Sequence, residues 1–461
     1  MSTPAPARTA QDARRRKAAP KPVLAAAFMG VFLLNLDAMA VNVALPGIGR
    51  DFGGGTAGLQ WIVDAYTLMF AALLLSAGAL ADRIGADRAF GAGVAGFTVA
   101  SAACALASGP GELIAARLLQ GGAAAVMLPS SLALVRQAFP DAAERARAIA
   151  LWTMCGAVAI AAGPVVGGML SGTLGWRAIF VVNLPAGVAA LAVLARAPRS
   201  PRRAAPLDPF GQLAAVVALG ALAFAVIDGA EHGFGGPAVP GCLGLAAVAA
   251  AAFVVIEART AAPTVPLDLF ASCTVAASLV IGFVVNAAFY GLVFVLSLFF
   301  QDVLRLPALA AGLVFLPMTV VIAGANLASV RAAARFGPRM PIAVGQAVLA
   351  LALLGLLGMD EGTGRPVIAA MLVPVGLGLG FAVPSLTAVL LDGIAADRAG
   401  TAAGVLNSFR QAGGALAVAA SGFLVAGGGD VIGGLRVALC VAAATLTATA
   451  VLALMLPRGR R

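Results

Sequence analysis

Residues 31–46 read VFLLNLDAMAVNVALP, an apolar run with one carboxylate, Asp37, set inside it. From Val23 to Pro46 the chain carries no other charge. A helix rising about 1.5 Å per residue over that stretch is long enough to cross a hydrocarbon core of about 30 Å. Asp37 then lies at depth in a membrane. A charged side chain near the bilayer centre costs at least about 2.5–3.5 kcal/mol, so such groups face a protein interior or a wet cavity. Asp37 reads either as a proton-carrying or cation-binding carboxylate or as an acid merely hydrogen-bonded between helices. The rarity of intramembrane acids favours the first.

The rest of the chain agrees with a membrane setting. Of 461 residues, 61% are hydrophobic and only 11% charged, against about 25% charged in an average soluble domain. Five cysteines, Cys104, Cys155, Cys242, Cys273 and Cys440, are scattered and odd in number, which suits small core residues better than a disulfide framework or a zinc site. The single histidine, His232, excludes a His-based metal cluster or a serine–histidine triad. Arg14, Arg15, Arg16 and Lys17 ahead of the apolar run, with Ala38-Met39-Ala40 inside it, imitate a signal peptide. The run is longer than a signal core of about 7–15 residues and holds Asp37, so it reads as a retained first span.

Hydropathy and its charged or Gly/Pro breaks give fourteen candidate helices: 23–46, 58–81, 89–108, 112–135, 147–171, 176–195, 209–228, 238–256, 272–299, 308–330, 339–358, 366–391, 400–425 and 434–456. An even number puts both ends on one side. On this threading 23 of the 30 Lys and Arg fall on the side of the N-terminus. Five (Arg50, Arg177, Arg305, Arg365, Arg436) fall opposite, and Arg117 and Arg410 lie within spans. Both termini are therefore expected in the cytoplasm. The same scatter of positive charge over short loops argues against nucleic acid despite a net charge of +10. Two polar interruptions, ARAPRSPRRAAPLDP at 195–209 and EARTAAPTVPLD at 257–268, divide the chain. The expected order is a basic arm (1–22), a six-helix bundle (23–195), a connector carrying two extra spans (196–268), a second six-helix bundle (269–456) and a basic tail (457–461).

Asp64 is a second acid inside an apolar span, closer to the outer end, where it serves in proton exchange or is simply hydrated. Arg117 needs an anionic or carbonyl partner, and Gln120, one turn on, can share it. Arg410 and Gln411 form a comparable pair late in the chain. Polar or aromatic residues within the spans or at their ends that are candidates to line a cavity are Asn42, Gln60, Trp61, Tyr66, Gln120, Asn286, Tyr290, Gln301, Asn407, Arg410 and Gln411. Phe32, Phe70, Phe283, Phe289 and Phe294 can add an aromatic wall or face lipid and core instead. The second half holds no acid at mid-span. No P-loop is present, which excludes direct ATP drive in this chain.

Several motifs, in order and on the corresponding helices, resemble the major facilitator superfamily, specifically its fourteen-helix drug:proton antiporters. They are LDAMAVNVALP (Leu36–Pro46), QWIVDAYTL (Gln60–Leu68), GALADRIGADR (Gly78–Arg88), ARLLQGGAAA (Ala116–Ala125), GPVVGG (Gly163–Gly168) and WRAIFVVNLPAG (Trp176–Gly187). Weaker echoes run over Phe299–Pro317 and Ala403–Gly422. The resemblance implies an all-α membrane fold of two six-helix bundles with two inserted helices. It also implies Asp37, Asp64 and Arg117 as proton-coupling and cation-binding residues, and a cytoplasmic latch at Gly78, Asp82, Arg83, Gly85 and Arg88. Asp87 stands where that motif has a basic residue, a departure that weakens or re-pairs the latch. The Gly163, Pro164, Gly167 and Gly168 helix is implied to pack tightly between bundles and bend.

The function expected is proton-driven export of lipophilic, drug- or antibiotic-like compounds by alternating access, not catalysis. With few acids to serve both proton and drug, monocationic, zwitterionic or neutral cargo fits best. The expected setting is the cell membrane, with small-molecule substrate, protons and lipid as partners, no cofactor, no metal and a monomeric state. Export of an endogenous metabolite or self-made antibiotic, and a sensor or assembly role on a transporter scaffold, are the competing readings.

Overall fold

The computed structural model describes residues 20–53, 55–139, 141–202, 208–233, 236, 238–260, 263, 265, 267–392, 394, 399–426 and 431–456. The expected basic arm up to residue 19, part of the first connector (203–207), Arg398 and the basic tail lie outside them. Lipid offers no hydrogen bonds, so a chain crossing it must satisfy its own backbone, and a continuous helix does so. The long helices are α1 (Pro20–Phe52), α2 (Thr56–Ile84), α3 (Ala86–Leu106), α4 (Pro110–Ala138), α5 (Ala142–Thr173), α6 (Asn183–Leu194, after one turn at Ala178–Val181) and α7 (Pro209–His232). They continue with α8 (Ala238–Arg259), α9 (Cys273–Leu298), α10 (Ala308–Phe336), α11 (Arg339–Gly355), α12 (Arg365–Asp392), α13 (Ala399–Ala426) and α14 (Val431–Leu454).

A helix occupies each of the fourteen positions expected from hydropathy. Among the described residues, twelve helices are long and apolar enough to cross a membrane. The other two are the short Ala178–Leu194 segment and α13, which carries Asn407, Ser408, Arg410 and Gln411. The molecule is thus an all-helical, multi-pass membrane protein. The break in the sixth helix falls just before Pro185, whose missing N–H removes a backbone bond one turn earlier. Between α2 and α3 the whole turn is Gly85, at φ +97°, a conformation open to glycine and strained for other residues.

Short connections make successive helices antiparallel, which defines a near face, where α1 starts, and a far face, where it ends. In the first set α1 packs on α5, α2 and α3 on α4, and α6 on α1 and α3. The last six helices repeat the pattern, with α9 on α13, α10 and α11 on α12, and α14 on α9 and α11. The sets meet along two seams, α2 with α13 and α5 with α10. The remaining pair, α7 and α8, pack on each other, and α7 lies across the α2–α13 seam.

The GPVVGG segment lets the α5 backbone touch α1 within the first set and α10 across the second seam. A Cβ on Gly167 would meet the backbone of Ala40, one on Gly168 the backbone of Ala308, and one on Gly312 of α10 the carbonyl of Pro164. Small residues at such crossings are how helices approach closely where lipid supplies no hydrophobic drive. Gly167→Leu is expected to destabilise the folded protein by at least about 1–3 kcal/mol, the usual cost of overpacking. Thermal unfolding in detergent should show a lowered midpoint, and an unchanged midpoint would refute the packing argument.

Candidate functional site

Asp37 sits at the middle of α1, 1% exposed. Its Oδ2 accepts from Arg117 Nη1 at 2.6 Å, and its Oδ1 accepts from Gln120 Nε2 at 3.0 Å and Asn183 Nδ2 at 2.8 Å. All of its neighbours present N–H donors, the complement of a carboxylate. The network extends through Ser101 on α3, whose hydroxyl accepts from Gln120 Nε2 at 2.8 Å and from Asn183 Nδ2 at 3.2 Å. Arg117 also donates from Nη1 to Gln120 Oε1 at 2.6 Å and from Nε to the Ile62 carbonyl at 3.1 Å. Its guanidinium lies 4.2 Å from the Tyr66 ring centroid, a cation–π contact. Four helices of the first set and the second helix's backbone thus converge on one buried ion pair.

Asp64, two residues beyond the Ile62 carbonyl on α2, has no such company: it is 0% exposed and neither oxygen has a hydrogen-bond partner among the described residues. Its flanking turns face the α13 and α7 seam. Gln60, one turn earlier, donates from Nε2 to the carbonyls of Val418 at 3.2 Å and Ala419 at 2.7 Å on α13. Leu68, one turn later, joins Ala223 of α7 and Ala415 of α13 in one apolar cluster. An ionised carboxylate there would be an uncompensated buried charge.

The void beside the ion pair is small, about 20 Å³, which is room for one water. Arg117, Tyr66 and Phe70 line it from the first set and Tyr290 and Gln411 from the last, so expected candidates from both sets do meet. Asp37 stands one side chain behind, screened by Arg117. Asn35 and Thr67 also line the void and were not singled out by sequence. Other expected lining residues lie elsewhere. Gln60 and Gln301 tie the sets together toward the far face, Gln301 Nε2 donating to the Val43 carbonyl at 2.8 Å. Asn42 bonds the Ala38 carbonyl of its own helix, and Trp61 packs against Phe224 of α7. Gln120 belongs to the Asp37 network. Arg410 donates from Nε to Asn286 Oδ1 at 3.2 Å and from Nη1 to Asn407 Oδ1 at 3.4 Å, a cation among neutral amides. Phe289 and Phe294 are core.

Asn183 and Ser101 are the members of this network that the sequence did not single out. The signal was there in Asn183, a lone amide in the apolar run Ala178–Leu194.

At the near face Asp82, Arg83 and Arg88 are exposed and Gly78 has open space around it. Asp87, the residue out of pattern, pairs with the first connector: its carboxylate accepts from Arg199 Nη1 at 3.1 Å and from the Ser200 backbone N–H at 3.0 Å. The departure therefore pins the connector to the start of α3. Among the described residues no group of three metal-ligating side chains occurs.

Comparison with known proteins agrees with this architecture. The Multidrug resistance protein Stp of Mycobacterium tuberculosis (strain CDC 1551 / Oshkosh) is 38% identical over 408 residues, covering 87% of this chain and 75% of that protein. The Methylenomycin A resistance protein of Streptomyces coelicolor (strain ATCC BAA-471 / A3(2) / M145) is 36% identical over 397 residues, covering 86% and 84%. A solved D-xylose-proton symporter superposes with a TM-score of 0.69 at 11% identity, over 95% of this chain and 98% of that one, which is a likeness of fold. The family model of the Major Facilitator Superfamily matches residues 27–418, and the chain belongs to that superfamily of membrane transporters.

Proposed function

We propose that this chain is a proton-coupled efflux transporter that exports lipophilic drug- or antibiotic-like compounds, monocationic, zwitterionic or neutral, by alternating access. The observation that carries the reading is the contrast between its two intramembrane acids. Asp37 is clamped by Arg117, Gln120 and Asn183, whereas Asp64 is buried at a seam with no hydrogen-bond partner among the described residues. A group with nothing to balance its charge is at home there only when neutral. Asp64 therefore carries the proton in this conformation and releases it when the seam opens to water. The Asp37–Arg117 pair senses cargo through the void that Arg117 lines, and the two movements alternate as the helix sets rock about the mid-membrane site.

The same reading takes all fourteen helices as spans, residues 23–195 and 269–456 as two bundles, and 196–268 as a connector with an inserted pair. It puts both termini on the cytoplasmic face of the cell membrane, following the bias of Lys and Arg, with a monomer that needs no cofactor. The exposed Asp82, Arg83 and Arg88 turn is then the cytoplasmic latch. In everted vesicles energised by respiration, a fluorescent lipophilic cation should accumulate, and a protonophore should discharge it. Accumulation that persists after the gradient is collapsed would defeat proton coupling.

A second reading, a dedicated exporter of one antibiotic, is favoured by the relative named for methylenomycin A. A susceptibility panel separates them: tolerance to many unrelated lipophilic compounds supports the broad reading, and tolerance to one supports the narrow reading.

A further inference from the structure

A second, roomier cavity lies away from the central void. It measures about 620 Å³, within the range of drug-sized sites, and is a half-open chamber lined by α2, α9, α13 and the inserted pair, with Leu267 and Phe270 on its near side. Its walls are overwhelmingly apolar, with Phe253, Phe270 and Phe409 presenting aromatic surface. Four polar side chains break that surface, one of which, Gln212, already donates to the Ala72 carbonyl. The hydroxyls of Ser76 on α2 and Ser408 on α13 are buried without a hydrogen-bond partner among the described residues. The fourth is Glu257 near the end of α8, a 2%-exposed carboxylate that accepts the Val265 backbone N–H at 3.1 Å. Buried hydroxyls left unbonded are costly, and a ligand that hydrogen-bonds to them removes that cost.

We propose that this chamber is a second ligand site and that it takes a lipophilic amine. The hydroxyls and the acid supply acceptors for an ammonium group, the phenylalanines supply ring faces for its charge, and the remaining wall takes an apolar body. Leu219 lines the chamber and also joins the Leu68 cluster on the turn after Asp64. An occupant therefore lies at the same seam as the unpartnered acid. That it is cargo waiting for the central pocket rests on the efflux reading; that the chamber binds an amine does not.

Trp61, packed on Phe224 beside that cluster, is a reporter once Trp152 and Trp176 are replaced by Phe. The full-length protein in nanodiscs is titrated, without any gradient, with a dibrominated alkyl tertiary amine, the neutral dibrominated amide of the same chain, and dibrominated phosphatidylcholine. The expected result is saturable quenching by the amine, at least about five-fold weaker apparent affinity for the amide, and a similar loss in Glu257→Gln. The chamber-filling Ala218→Phe should abolish saturation, with Ala250→Leu as a second filler should the first fail to fold. Quenching that survives filling, an amide that matches the amine, or a brominated lipid that quenches fully and is not displaced by amine would each overturn the proposal. Cells that gain no drug tolerance while the amine still saturates would defeat the efflux reading and leave this site standing.

Discussion

Replacing Arg117 with glutamine is expected to destabilise the protein by about 3–5 kcal/mol, the range found when one partner of a buried ion pair is removed. The reason is what stays behind. Asp37, 1% exposed, would keep only Gln120 and Asn183 as donors, the Ile62 carbonyl would lose its N–H, and the Tyr66 ring its cation. Because the deficit is a stranded charge, removing that charge should restore much of it. The double variant Arg117→Gln with Asp37→Asn is expected to unfold at a higher temperature in detergent than Arg117→Gln alone, with a coupling of the two changes within the 0.5–3 kcal/mol seen for residues in one network. Strictly additive effects would show that the pair does not act as a unit.

Asp64→Asn is expected to abolish proton-driven accumulation in everted vesicles while leaving the fold intact. An amide of nearly the same shape replaces a neutral acid, so no packing is lost and no charge is stranded in this conformation. What disappears is the ability to give up a proton. Drug binding, and drug-for-drug exchange down a concentration gradient, should persist in the variant, with the drop confined to uphill transport. Loss of binding along with transport would mean that Asp64 holds cargo directly, and full uphill transport would remove it from the mechanism.

Much of the fold was legible because lipid enforces a simple rule: a stretch without charge and long enough to cross must be helical. Helix ends were less so. The α5 segment begins at Ala142 although the apolar pattern starts at Arg147, because helical hydrogen bonding continues past the hydrocarbon where arginine side chains can reach water. The site was legible in part. Asp37, Arg117 and Gln120 announced themselves as polar groups in apolar helices, and the structure joins them through contacts 80 and 83 residues apart in sequence. Hydropathy could not tell Asp37 from Asp64, since both are single acids among apolar neighbours. The difference lies in which helices surround them. For the same reason Gln60 and Gln301, which look like cavity residues, turn out to reach backbone carbonyls across the set boundary. The chamber at the seam had no sequence signature, because it is made by where the inserted pair lands and not by any motif within it.

The most direct measurement is proton release on drug binding. Purified protein in a weakly buffered detergent solution with a pH indicator is mixed with a neutral lipophilic drug, and the absorbance change is calibrated in protons per protein. Wild type and Asp37→Asn are predicted to release a proton and Asp64→Asn none. Release that survives in Asp64→Asn and vanishes in Asp37→Asn would contradict the assignment of the unpartnered seam acid as the proton carrier.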